Sequence, residues 1–280
     1  MDRPAPHKIV VAHSPDSDDA FMFYGLATQK LRSARVSFEH VLEDIETLNQ
    51  AAAEGRYDMT AISYHAYPYV ADHYVLTSSG SSVGDGYGPL VIAPHPCAVE
   101  ELKGKTIAVP GARTTAYLVL RLLLPDFQPL FAPFDRIFEA VENGSAQAGL
   151  LIHEGQLSFN RRGVHRVVDL GRWWKQTYGL PLPLGANAIR RSLDPEIARE
   201  CCAMLRKSIE YALANREEAL TYALQFARGL DAGLTEKFVG MYVNDDTLEA
   251  GPKVREAAQK LLELGYEAGL IPRQVKVEFV

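Results

Sequence analysis

Ile9 to Ala12 is an uninterrupted apolar run, and the polar Ser14-Pro15-Asp16-Ser17-Asp18 that follows gives way to a helical period from Ala20 through Leu31. Strand, loop and helix therefore succeed one another. Alternation resumes at Val36, Phe38, His40 and Leu42, after which Asp44 to Glu54 carries Ile45, Leu48 and Ala52 on one helical face and stops at Gly55. Asp58 to Ile62 reads as a further strand. The same order recurs with Thr106 to Val109 (strand), Thr114 to Leu124 (helix), Phe131 to Pro133 (extended), Asp135 to Asn143 (helix) and Ala148 to Ile152 (strand). Strands alternating with helices predict an α/β fold with a mainly parallel sheet covered on both faces.

Both halves also run from a helix through a glycine and a short strand to a polar residue: Glu54-Gly55 leads to Ser63, and Asn143-Gly144 leads to His153. Two similar α/β lobes are the expectation. Gly86 to Pro94 and Pro181 to Ile189, rich in glycine or proline, serve as crossovers. That predicts a larger discontinuous lobe of residues 1–92 and 185–280 and a smaller continuous lobe of residues 93–184. The tail from Asp194 onward is expected to be helical, with Pro195 at a helix start. Such a design leaves a central cleft. Ligands of open α/β sheets lie beyond the carboxyl ends of the strands, which directs attention to Ser14, to Ser63 with Tyr64, to Arg113 through Thr115, and to His153 with Glu154.

Composition narrows the class of protein. The 280 residues are 47% hydrophobic and 23% charged, an ordinary globular balance, and no run reaches the roughly 20 apolar residues of a membrane helix. Met1 to His7 has no basic leader, and cysteines number three, with Cys201 and Cys202 adjacent and poorly placed to bridge; the expected location is cytoplasmic. A net charge of -6 without a basic block argues against nucleic acid as a partner. The expected partner is a small-molecule substrate, with no membrane or nucleic acid and with a homodimer left open.

Each candidate has an ordinary structural reading beside its chemical one. Ser14 and Asp16 to Asp18 can simply cap the first helix, and carboxylates there compete with an anion for the same amides. Thr114 and Thr115 follow Pro110-Gly111 and open a helix whose free amides suit a carboxylate or a hydroxyl-rich ligand, with Arg113 able to add charge. His153 ends an apolar strand; pointing into a cleft, a partly desolvated imidazole can act as a general base, oriented by Glu154. Trp173-Trp174 and the tyrosines between Tyr57 and Tyr74 suit either an aromatic pocket or the core. Gly84, Gly86 and Gly88 precede a strand, so they form no dinucleotide fingerprint and read as a hinge turn. No P-loop, nucleophile elbow or metal-ligand spacing occurs, so neither cofactor nor metal is expected.

Eight segments carry a resemblance: HSPDSDDAFMFYGL (13–26), VLEDIETLN (41–49), SYHAY (63–67), GYGPLVIA (86–93), VPGARTTAYL (109–118), AGLLIHEGQ (148–156), VVDLGRWW (167–174) and GLPLPLGA (179–186). In this order, over nearly the whole chain, they resemble 1,4-dihydroxy-6-naphthoate synthase, the MqnD family of the futalosine pathway to menaquinone. The resemblance implies the two-lobed fold of type 2 periplasmic binding proteins. It also implies a carbon-carbon lyase that converts cyclic de-hypoxanthine futalosine to 1,4-dihydroxy-6-naphthoate and releases a dihydroxyacetone-type fragment, without metal or nucleotide. The family's proton acceptor corresponds to His153 in Leu151-Ile152-His153-Glu154. Its substrate contacts correspond to Ala61, Ile62 and Ser63 and to Thr114, Thr115 and Ala116, and Ser14 lies in the same expected cleft. The first loop departs from the family's SPCPNDTF, having an extra carboxylate in place of an asparagine, and Ala61 stands where a lysine can precede the family's LSY. Two alternatives share the fold: a chorismate dehydratase-like enzyme of the same pathway, and a non-catalytic solute-binding protein.

Overall fold

The computed structural model describes residues 5–280; of the start read above, Met1 to Pro4 lie outside the described residues. Eleven strands form among them: β1 (His7–His13), β2 (Val36–Leu42), β3 (Met59–Ser63), β4 (Tyr74–Leu76), β5 (Ser82–Gly84), β6 (Leu90–Ala93), β7 (Thr106–Val109), β8 (Gln128–Phe131), β9 (Ala148–Leu151), β10 (His165–Asp169) and β11 (Leu182–Arg190). They make two sheets. The first has the order β2-β1-β3-β11-β4, with β5 also paired to β11, and the second has the order β10-β6-β9-β7-β8.

Both sheets are mixed, which corrects the expectation of mainly parallel pairing. β1 runs parallel to β2 and β3, and β7 runs parallel to β8 and β9. β11 is antiparallel to β3, β4 and β5, and β6 is antiparallel to β9 and β10. The physical reason lies in the crossovers: a chain entering or leaving a sheet from its neighbour, without a crossover helix, is free to pair antiparallel. The pairing also places β6 in the second sheet and all of β11 in the first. The expected lobe edges, at 93 and 184, lie inside β6 and β11. The first connection, through Gly84–Pro89, is packed against the start of the helix Leu170–Tyr178. A Cβ at Gly84 or Gly171 would overlap the Tyr87 carbonyl oxygen, so the backbone passes there only because both are glycine.

Local sequence accounts for the elements beside the cleft. The helix Ile45–Ala53 is capped by Asp44, whose carboxylate accepts the Glu46 and Thr47 amides at 3.0 and 3.2 Å. It buries Leu48 and Ala52 under the first sheet, as the pattern predicts. The helix Thr115–Leu123 is capped by Thr114, which accepts the Tyr117 amide at 3.3 Å. The first helix, Ser17–Ala27, begins three residues earlier than its apolar period because its opening residues Ser17, Asp18 and Asp19 are all buried. The extended piece foreseen at Phe131 to Pro133 lies slightly earlier, as β8. The tail contributes Pro195–Ala214, Arg216–Ala223, Ala232–Tyr242 and Pro252–Glu267, covering the first sheet with Met204, Leu205, Ile209 and Val239.

Trp174 and Tyr64, Tyr67 and Tyr74 are fully buried in the main core, with the Trp174 indole donating to the Pro181 carbonyl at 3.0 Å. The core reading of these aromatics is the right one. Among the described residues, no helix is long and apolar enough to cross a membrane.

Candidate active site

A cleft of about 110 Å³ lies where the two sheets meet. Ser14, Ser63, Thr114, Thr115 and His153, chosen by the strand-end rule, line it together with Ala61, Ile62 and Ala116, which the resemblance added, while Tyr64, Arg113 and Glu154 do not. Asp16 and Asp18, read from the sequence as caps, line it too, as do Asp19, Gln156, Asn187, Phe238 and Tyr242, which were not singled out.

His153 is the centre of this arrangement. It follows β9 with φ of 54°, a left-handed conformation that costs a non-glycine residue on the order of 1–3 kcal/mol. In that conformation its Nδ1 stands 2.9 Å from a carboxylate oxygen of Asp16, which comes from the other side of the cleft. Nδ1 bonded to Asp16 fixes the neutral ring's proton there and puts the lone pair on Nε2, an atom with no partner in the protein. Asp16 is 1% exposed and also receives the Ser14 hydroxyl and, at 3.1 Å, the Arg228 guanidinium. Arg228 has φ of 49° and lies 4.3 Å above the Phe134 ring, whose edge meets His153. Two of the three non-glycine residues with positive φ among the described residues thus converge on one carboxylate.

The electrostatics follow from that geometry. Burial alone would pull the His153 imidazole down. The charge and hydrogen bond of Asp16, helped by Glu154 and Asp18, outweigh it and raise the pKa to about 9. Burial opposes ionisation of Asp16, but His153, then Arg228 and Ser14, hold its pKa below the usual carboxylate value. The neighbouring acids move the other way. Burial, then repulsion by Asp16, pushes Asp18 up to about 7, and burial with repulsion by Asp18 and Asp16 carries Asp19 well above its ordinary range. Burial and Asp16 also raise Glu154. Asp16 is thus the member of this acidic group whose surroundings favour the charged form.

Several expectations change in detail. Asp16 occupies the N-cap position of the first helix but makes no side-chain cap bond, because its oxygens serve His153 and Arg228. Glu154 does not orient His153; it accepts the Ser17 amide and hydroxyl at 3.3 and 3.0 Å and ties the two sides of the cleft together. Arg113 adds no charge to the cleft, since its guanidinium lies 4.8 Å over the Tyr69 ring. The hydroxyls of Thr114 and Thr115 donate to the carbonyls of Gly111 and Leu184 at 3.1 and 2.7 Å. What remains for an anion is the first-turn amides of Thr115 and Ala116. Ser63 keeps a hydroxyl proton to give: its Oγ accepts from Asn49 Nδ2 at 3.1 Å while its amide donates to Asn49 Oδ1 at 2.8 Å. Ser14 lines the cleft, yet its amide is bound by Asp19 at 2.7 Å and its hydroxyl by Asp16.

Arg228 gave no signal in the sequence, because its role depends on a left-handed turn far from any strand end. Asp16 was visible but had the simpler reading of a cap. The pairing of Tyr242, whose hydroxyl donates to Gln156 Oε1 at 2.7 Å, likewise needs the fold to bring together residues 86 positions apart.

Two sheets flanking a cleft that holds a buried carboxylate–imidazole pair make a two-lobed, periplasmic-binding-protein-like fold. Solved structures agree on the fold. The alkanesulfonate-binding protein SsuA from Xanthomonas axonopodis pv. citri superposes with a TM-score of 0.73 at 16% identity, covering 99% of this chain and 98% of that one. A crystal structure of a protein from Archaeoglobus fulgidus gives a TM-score of 0.91 at 49% identity, with 95% of this chain and 99% of that chain covered. The family model described as "Menaquinone biosynthesis" matches residues 9–267. The curated "1,4-dihydroxy-6-naphtoate synthase" of Thermus thermophilus is 42% identical over 95% of this chain and 97% of its own. The protein of the same name from Streptomyces coelicolor is 34% identical, with 94% of each chain covered. The chain belongs to this menaquinone-biosynthesis family, and is an enzyme of that biosynthesis.

Proposed function

We propose that the protein is a carbon-carbon lyase that converts cyclic de-hypoxanthine futalosine to 1,4-dihydroxy-6-naphthoate and releases dihydroxyacetone, with His153 as the base. Two full-length relatives bearing the synthase name support the reaction. The observation that carries the base assignment is the His153 Nε2, unpartnered and directed by the Asp16 bond at Nδ1. We place the reaction in the cytoplasm with the rest of the biosynthesis.

Cleaving the sugar remnant from a ring that becomes aromatic requires loss of a carbon-bound proton, and aromatisation supplies much of the driving force. The enzyme's part is orientation and proton transfer. Nε2 takes the proton, and Asp16 stabilises the imidazolium as it forms. A base raised to about 9 is better matched to a weakly acidic C–H than an ordinary imidazole, although at pH 7 only roughly one molecule in a hundred carries it neutral. The Thr115 and Ala116 amides, with the Ser63 hydroxyl, hold the substrate carboxylate. Incubating the purified protein with cyclic de-hypoxanthine futalosine tests the reading: the naphthoate and a three-carbon fragment are expected by mass. Tight binding of the compound without either product would overturn it in favour of a binding role.

A further inference from the structure

The cleft is chemically lopsided. One end presents the amides at the start of the helix Thr115–Leu123, which is stitched to β11 through Thr115 and the Leu184 carbonyl. Three residues further along the same strand, roughly 10 Å at strand spacing, stands Asn187. Gly80 lies beside it, and both line the cleft.

Asn187 is held rigidly and incompletely satisfied. Its Nδ2 donates to the Gly80 carbonyl at 3.1 Å, while its own carbonyl accepts from the Thr77 amide and hydroxyl at 2.8 and 3.0 Å. Gly80 has φ of 87°, and a Cβ there would meet the Asn187 side chain, so the glycine makes the lock possible. With Nδ2 committed, Asn187 Oδ1 is left without a partner although the residue is 1% exposed. A buried carbonyl oxygen kept unpaired by a rigid scaffold is an acceptor awaiting a donor.

We infer that Asn187 Oδ1 forms the subsite for the hydroxyl-bearing sugar remnant, so that the substrate lies with its carboxylate at Thr115–Ala116 and its hydroxyls at Asn187. This rests on the proposed reaction and deepens it. It assigns a specificity-determining residue and a direction of binding. The two ends discriminate by chemistry: donors meet the anion, and acceptors meet the hydroxyls.

A ligand–residue cycle tests it. Wild type and Asn187→Ala are compared on the natural substrate and on an analogue lacking one hydroxyl of the remnant, with affinity for the naphthoate product, which has no remnant, measured alongside. Wild type is expected to lose about 10- to 100-fold in kcat/KM on the deoxy analogues that remove the bonded hydroxyl. Asn187→Ala should show the same loss on the natural substrate, little further loss on the analogue, and unchanged product affinity. Equal turnover by wild type of every deoxy analogue would overturn the subsite, and needs no variant to fold. Additive losses in the cycle would overturn it too. Absence of turnover by wild type on the natural substrate would instead refute the underlying reaction, so the two failures are distinguishable.

Discussion

Replacing Asp16 by asparagine removes the charge that keeps His153 basic while preserving the shape of the side chain. The raise from 6.5 to about 9 amounts to about 2.5 units, or about 3 kcal/mol of preference for imidazolium. Burial acts in the opposite direction, so without the Asp16 charge the ring should return to 6.5 or below. The assay is the pH dependence of kcat/KM, which reports the free enzyme. Wild type should climb with pH to a plateau above about 9, whereas Asp16→Asn should finish its climb near neutrality or below and level off about tenfold lower or more, having a weaker base. Stability carries the same signature. The folded pKa exceeds the unfolded value, so the stabilisation is complete below pH 6.5 and is lost as pH rises through about 9; the variant should lose less over that interval. A limb remaining near 9 in Asp16→Asn would refute the reasoning, because the group titrating there would not be a histidine governed by Asp16.

Other consequences are independent of that pair. His153→Asn, chosen because asparagine tolerates the left-handed backbone, should keep its melting behaviour and product affinity while turnover falls roughly 10²- to 10⁴-fold. Ser63→Ala should raise KM about tenfold with little change in kcat, measured by steady-state kinetics, since it removes a binding donor distant from the reacting proton. Gly171→Ala should destabilise the fold by about 1–3 kcal/mol in chemical denaturation, because the new methyl would strike the Tyr87 carbonyl at the crossover. Buried His13 and His40, held neutral down to about 3 and 4 mainly by burial, should make the protein lose stability as pH falls below 6.5. His40→Gln should reduce that loss in thermal melts between pH 7 and 4.

Much of the fold was legible because its signals are local. The period of Ile45, Leu48 and Ala52, the caps at Asp44 and Thr114, and the strand-end positions of Ser63 and His153 each depend on a few neighbouring residues. Strand direction was not legible: β6 and β11 read as extended segments, and nothing in an extended segment says whether its partner runs parallel. The site was half legible for the same reason. A polar residue after an apolar strand announces itself, but what it bonds to comes from elsewhere. Asp16 reads as a cap because its true partner is 137 positions away, and Glu154 reads as the partner of His153 because it is adjacent. Arg228 and Asn187 matter through a left-handed turn and an unspent hydrogen bond, neither of which has a sequence period.

The central claim, that His153 aligned by Asp16 drives the lyase reaction in this cleft, is tested most directly by single-turnover reaction of saturating enzyme with cyclic de-hypoxanthine futalosine at pH 9, wild type beside His153→Asn, following the naphthoate by absorbance and mass. Naphthoate formation within one wild-type turnover and its loss in the variant, with the compound still bound by both, is the predicted result. Equal formation by both proteins, or by neither, would contradict the account.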